Sequence, residues 1–398
     1  MPARYSIHLY IIFFYIATAA FSPFLGFWFM DQGLSSQQIG LLSSLGPMVG
    51  LAAQPLWGML SDRFGAEKRV LMLSLVLAPI FAFGYLLAGE SILFLLLTAL
   101  LYSLFNSSIL PISDAMTVHH ARTYGQSFGG IRVLGSISFA VVVTPLGYLY
   151  DYAGQEMMFF VHLLTMLAAL GALTLVGQPQ TSGLEKGTLL TGLGKLLKRK
   201  TFVLFLLFTF LVAIGNHVNN VFFSVFLGHI GGNVSERIGL LNTVSALSEL
   251  PFFVLSAYLL RRIGFFPILT ATALAGMLRW GLLSLTPSFP ILIASQMLHG
   301  LTFALFTAAG VTYVYEMSPT GLKNTGQTMF AVVNYNIATL LASNIGGWLI
   351  DHSGFSVLYR SASFLSLAGA IGFALMWFTL KRSSIRKVNS ATSKDVRS

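Results

Sequence analysis

Gly147-Tyr-Leu-Tyr-Asp151-Tyr-Ala-Gly154 recurs 200 residues later as Gly347-Trp-Leu-Ile-Asp351-His-Ser-Gly354. Two further landmarks keep nearly the same spacing and the same order. Gly125-Gln126 matches Gly326-Gln327, and Arg63-Phe-Gly65 matches Arg262-Ile-Gly264. A fixed long period of this kind marks a duplicated unit. Both copies are filled with apolar runs long enough to cross a bilayer, about 20 residues each. They fall near 7–30, 37–60, 69–89, 92–118, 126–150 and 157–176 in the first copy. In the second they fall near 202–228, 235–260, 265–286, 290–315, 326–350 and 355–379. Six is even, so the copies enter the membrane from the same side and are related by an axis along the membrane normal. The expected fold is an all-α integral membrane protein, with twelve transmembrane helices in two pseudo-symmetric six-helix bundles. Residues 1–176 should form the N-terminal bundle, 177–200 a cytoplasmic central loop, 201–380 the C-terminal bundle and 381–398 a cytoplasmic tail.

Composition agrees. Of 398 residues, 55% are hydrophobic and 9% charged, against about 25% charged in an average soluble domain. The net charge of +10 would suit a nucleic-acid partner if the basic residues formed a patch. Their distribution argues otherwise. By this topology all but Arg132, Arg279, Arg237 and Arg360 of the 23 Lys and Arg residues lie in cytoplasmic segments, which is the positive-inside bias. Both termini are therefore expected in the cytoplasm of a cell whose inner membrane holds the chain. The run after Arg4 is too long for a cleaved signal peptide and reads as a retained first helix. No cysteine is present, so disulfides and thiolate metal sites are excluded. His119-His120 has no second ligand pair at metal-binding spacing. No cofactor or metal is expected, and a monomer, surrounded by the lipid bilayer, suffices because one chain carries both halves.

Charges inside spans are expensive, about 2.5–3.5 kcal/mol each on insertion scales, and mark function by default. Arg132, in the fifth run, needs an acidic partner, and Asp114 in the fourth lies at a similar depth. The pair either fixes helix packing or recognises a solute. Glu249 lies mid-span in the eighth run with no base on its own helix, and Asn242 and Ser245 precede it on roughly the same face. Burial disfavours its charge, which makes it a candidate proton carrier. Arg279 and His299, on the next two runs, can join it in an interhelical network. Asn216, Asn219 and Asn220 share one face of the seventh run at i, i+3, i+4, and amides in membrane helices either bridge helices or line a cavity. Phe21, Phe24 and Trp28 make an aromatic stripe on the first run, which reads as packing before it reads as a platform for a ring-bearing solute.

Gly58-Met-Leu-Ser-Asp62-Arg63-Phe-Gly65-Ala-Glu-Lys68-Arg69, between the second and third runs, resembles the cytoplasmic loop signature of the major facilitator superfamily. Pro111-Ile-Ser-Asp114, Arg132-x-x-Gly-Ser136, Ser248-Glu249, Arg279-Trp280 and Gln296-x-x-His299 narrow the resemblance to its phenylpropionate-permease-like and lactose-permease-like branch. The resemblance implies secondary active transport of a small organic solute by alternating access, as proton-coupled uptake of an aromatic acid, sugar or nucleoside. It implies a substrate site at Asp114 and Arg132, to which the amide face of Asn216, Asn219 and Asn220, read as lining a cavity, adds further candidates, and proton coupling through Glu249, Arg279 and His299. A gating loop at Gly58, Asp62, Arg63 and Gly65 would bias one access state. One departure stands out. Where the sugar permease has a proton-carrying carboxylate one turn beyond the histidine, this chain has Thr302. Proton-driven export of drugs or metabolites is the alternative, weakened because Thr144-Pro145-Leu-Gly147 is only a fragment of the exporters' Gly-Pro-rich signature. No His-Glu-x-x-His, Gly-x-Ser-x-Gly or phosphate-binding loop points to an enzyme.

Overall fold

Hydrocarbon offers backbone N–H and C=O groups no partner, so apolar runs of this length satisfy their hydrogen bonds within themselves and become helices. The computed structural model describes residues 3–64, 66–89, 91–177, 194, 196–285, 287–319 and 322–395, and excludes the side chains of 3, 58–64, 324 and 381–395. Its helices are α1 (Ser6–Asp31), α2 (Ser36–Phe64), α3 (Glu67–Leu87), α4 (Ile92–Thr123), α5 (Phe128–Ala153) and α6 (Met157–Thr174). They continue with α7 (Lys200–Ile230), α8 (Val234–Ile263), α9 (Phe265–Leu283) and α10 (Phe289–Met317). The helical run that follows is broken at Gly354, whose φ of 79° and ψ of 170° are open to glycine and closed to most other residues. We label its parts α11 (323–353) and α12 (355–395).

Eleven described segments are long and apolar enough to cross a membrane, and the last of them, Thr325–Leu380, contains the break at Gly354. The chain is thus a multi-pass helical membrane protein, with segment ends within a few residues of those expected. A capping box opens α2: the Ser35 N–H donates to Gln38 Oε1 at 2.9 Å, and the Gln38 N–H to Ser35 Oγ at 3.2 Å. Two features were not anticipated. Gly300–Leu305 in α10 and Val332–Ile337 in α11 are π-helical, a form that concentrates at functional sites.

Much of the packing stays within one stretch of the chain. In the first half α6 packs on α1 and α3. In the second, Gly369 and Gly372 bring α12 against Phe208 of α7, and Ser363 Oγ donates to the Met277 carbonyl of α9 at 2.8 Å. One hydrophobic cluster draws only on residues from Ile7 to Val176, and a second only on residues from Leu196 to Met376. A third is shared by both halves and lies at the other end of the molecule, where α1 meets α2, α5 meets α6, α7 meets α8 and α11 meets α12.

At that end the repeated motif has a structural purpose. Asp151, near the end of α5, accepts from the Ser235 and Glu236 N–H groups at 3.1 and 2.8 Å, capping the first turn of α8. Asp351, near the end of α11, accepts from the Ser36 and Gln37 N–H groups at 3.0 and 2.8 Å, capping α2. Each carboxylate thereby meets free amides and the positive end of a helix in the other half. Gly147 and Gly347 allow the approach: a Cβ on either would stand 2.3 Å from the Ser235 or Ser36 carbonyl oxygen, respectively.

Candidate functional site

Arg279 of α9 is fully buried, at 0% exposure, so its guanidinium must be satisfied from within the protein. One terminal nitrogen, Nη1, donates to His299 Nδ1 and to Thr302 Oγ1, each at 2.9 Å. The other, Nη2, donates to Gln296 Oε1 at 2.7 Å. Ser245 of α8 donates to the same Gln296 oxygen, also at 2.7 Å. A guanidinium has only donors, so His299 Nδ1 must accept. The proton of the neutral ring is then on Nε2, which donates to Glu249 Oε1 at 2.9 Å. Charge is thus carried in sequence from Arg279 through a neutral imidazole to the carboxylate.

Local helix geometry creates this arrangement. The π-helical segment begins directly after His299. Its first residue, Gly300, lies so close to α8 that a Cβ would come within 2.0 Å of the Ser248 carbonyl oxygen. The Gly300 N–H donates to Ser248 Oγ at 2.9 Å. The same approach that puts Gly300 against Ser248 puts His299 against the next residue, Glu249. Thr302, where the sugar-permease pattern has an acid, is a neutral acceptor for Arg279, and its carbonyl accepts from Asn216 Nδ2 of α7 at 3.1 Å.

A cavity of about 240 Å³ opens beside this network. Tyr15, Ser136 and Phe139 line it from the first half; Asn220, Asn242, Ser245, Glu249, His299 and Phe303 line it from the second. Of the three asparagines expected to share a role, Asn220 reaches the cavity. Asn216 and Asn219 are buried at 6% and 5% exposure. Asp114 and Arg132 do pair, through one contact of 3.2 Å, and neither is among the cavity-lining residues. The Arg132 guanidinium lies over the Tyr15 ring, 5.0 Å from its centroid. Phe21, Phe24 and Trp28 are buried in the shared core, with Phe21 against Phe159 and His162, so the stripe is packing. The proposed gating loop lies outside what is described: the side chains of Asp62 and Arg63, the surroundings of Gly58, and Gly65 as a whole.

Sequence reasoning missed Tyr15, Phe139 and Phe303 as cavity residues. Tyr15 carried a usable signal. Membrane tyrosines concentrate at the interface, and one in mid-span needs a reason. The two phenylalanines, among 34 in the chain, carried none.

The family model described as MFS_1 like family matches residues 3–361. The chain belongs to the MFS_1 like family. Its membership bears out the major facilitator resemblance and makes the chain a membrane transporter. Among curated proteins, this MFS_1-like chain is 30% identical to the uncharacterized transporter YwbF of Bacillus subtilis (strain 168), over 94% of its own length and 92% of the other. It is 29% identical to the maltose permease of Geobacillus stearothermophilus, over 92% of each. It is 26% identical to the probable 3-phenylpropionic acid transporter of Escherichia coli (strain K12), over 88% of this chain and 92% of that one. The crystal structure of the nucleoside transporter NupG superposes with a TM-score of 0.81 at 19% identity, covering 95% of this chain and 99% of that one, which shows a shared fold.

Proposed function

We propose that this MFS_1-like protein is a proton-coupled symporter for uptake of a small organic solute, drawn from the sugars, nucleosides and aromatic acids that its relatives' names span. It would cross the inner membrane twelve times as two six-helix bundles, with both termini in the cytoplasm, and work by alternating access. The observation that carries this reading is a cavity lined from both halves, with Glu249 and His299 in its wall and Arg279 bonded behind His299. A proton reaching Glu249 removes the charge that strengthens its bond to the His299 Nε2–H. That loosens the tie between α8 and α10 and leaves the Arg279 cation without its remote counterion. Solute and proton would then act on one element, which is what coupling requires. With the termini in the cytoplasm, the end closed by the shared core faces outward, and the cavity belongs to an inward-facing state.

Accumulation of radiolabelled solute in right-side-out vesicles, with and without an uncoupler, tests this. Symport predicts that the uncoupler abolishes accumulation. Stimulated accumulation would instead indicate proton-driven export, and indifference would rule out coupling to protons in either direction. Glu249→Gln should lose solute-driven proton uptake while retaining counterflow exchange. Normal coupled accumulation by that variant would remove Glu249 from the proton pathway.

A further inference from the structure

We infer that two adjacent residues of α7, Asn216 and His217, hold both π-helical segments open as one unit and so position His299 against Glu249. The contacts stand by themselves; their consequence for coupling rests on the symport proposed above.

The two segments are held in the same way. Each is six residues long. In each, the N–H that an α-helix would direct at the third carbonyl is directed elsewhere. The Phe306 N–H donates to the Phe303 carbonyl in place of Thr302. The Ala338 N–H donates to the Tyr335 and Val333 carbonyls in place of Asn334. The two carbonyls passed over are the ones that α7 takes. Asn216 Nδ2 donates to the Thr302 carbonyl at 3.1 Å. His217 Nε2 lies 2.7 Å from the Asn334 carbonyl and must donate, because a carbonyl only accepts. The grip on α11 has two further points. Asn334 Nδ2 donates to Thr209 Oγ1 of α7 at 3.1 Å, and His217 Nδ1 faces Thr339 Oγ1 at 2.9 Å. Neither Asn216 nor His217 is among the cavity-lining residues.

A buried carbonyl without a donor is costly. Asn216 and His217 supply the two donors, as inserted side chains do at other helix distortions. Without them, the cheapest repair is for each segment to recover its own N–H and become α-helix, which turns its residues about the helix axis. Arg279 Nη1 needs both His299, which precedes the first segment, and Thr302, which lies inside it. Such a turn separates the two. It also moves Gly300, whose N–H bonds to Ser248, the neighbour of Glu249. The two donors are consecutive on one rigid helix, so a shift of α7 that withdraws one withdraws the other.

Hydrogen–deuterium exchange of the purified full chain, followed on peptides covering 300–305 and 332–337, tests the inference. It uses neither solute nor proton gradient, so its failure is distinct from failure of the vesicle assay. Asn216→Leu and His217→Leu keep similar bulk and lose the donor. Each should speed exchange about fivefold in both segments, including the one its own residue does not bond. His217→Gln keeps a donor at similar reach and should stay near the parent chain. Thr339→Val loosens His217 from the α11 side and leaves α7 intact. It should speed exchange at 300–305 as well, although the Thr339 hydroxyl bonds to His217 and Tyr335. If a leucine variant does not fold, shown by fast exchange across α1 to α6, Thr339→Val decides the case. Faster exchange confined to the segment that a residue bonds would overturn the single unit. Unchanged exchange in both segments would overturn the holding role. In vesicles, uptake should fall severalfold in both leucine variants and return in His217→Gln. Parental uptake in the leucine variants would show that His299 is positioned without them.

Discussion

Arg279 is where the largest single-residue effect should fall. Its three hydrogen bonds join α9 to α10, and the Gln296 oxygen extends the link to Ser245 of α8. A lysine keeps the charge and loses the planar fork that reaches three acceptors at once. Hydrogen bonds to charged groups contribute about 1.5–3 kcal/mol each, so Arg279→Lys should destabilise the protein by roughly 3 kcal/mol or more. Thermal unfolding in detergent checks this. Arg132→Lys should behave differently. Its one contact with Asp114 joins side chains that are 33% and 35% exposed, so about 1 kcal/mol or less is at stake, and the unfolding temperature should stay near that of the parent chain. Its uptake should nevertheless fall sharply, because a lysine cannot lie flat against Tyr15; full uptake would show that the pair is structural only. Much at this scale was legible. Residues too costly to leave alone in hydrocarbon had to find one another, and Asp114 with Arg132, and Glu249 with Arg279 and His299, do so. What the sequence did not disclose is rotation about each helix axis, which decides that Asn220 faces the cavity while Asn216 and Asn219 are buried.

Elements, rather than residues, set the spacing within the site. The close contact of α10 with α8 at Gly300 is what brings His299 within reach of Glu249. In Gly300→Ala a Cβ would meet the Ser248 carbonyl oxygen, so the helices must part. Such overpacking typically costs about 1–3 kcal/mol. We expect a matching drop in stability together with a loss of uptake larger than that drop explains, measured by thermal unfolding and initial transport rate on the same preparation. A variant with parental uptake would show that the approach of α10 to α8 has slack. The π-helical segments at Gly300–Leu305 and Val332–Ile337 could not be read in advance. Both runs are apolar enough to be ordinary α-helix. The wider turn follows from contacts with other helices, such as Asn216 with the Thr302 carbonyl and His217 Nε2 with the Asn334 carbonyl at 2.7 Å.

For the whole molecule, period and hydropathy went a long way. The apolar runs recur as helices, and the break expected between 350 and 355 falls at Gly354. Which state of the molecule would be seen was not legible, because a sequence is shared by all its conformations. The reciprocal caps at Asp151 and Asp351 bear on that choice. Each half holds the bolt for the other half's door, so neither seam can be released from its own side alone. Removing a helix cap costs about 0.5–2 kcal/mol, and the two caps share no hydrogen-bond partner, so their effects should add. Asp151→Ala and Asp351→Ala should each move the balance of states toward opening of the capped end by a few-fold, and together by the product of the two shifts. The chain has no native cysteine, so a thiol introduced by Leu241→Cys, at a position fully buried in the shared core, would report alone on that opening through its rate of maleimide labelling. Equal rates in the presence and absence of both caps would mean that the bolts are ornamental. Faster labelling would make the repeated motif a thermodynamic dial: two matched settings that fix how much of the time the capped end stands open before any solute arrives.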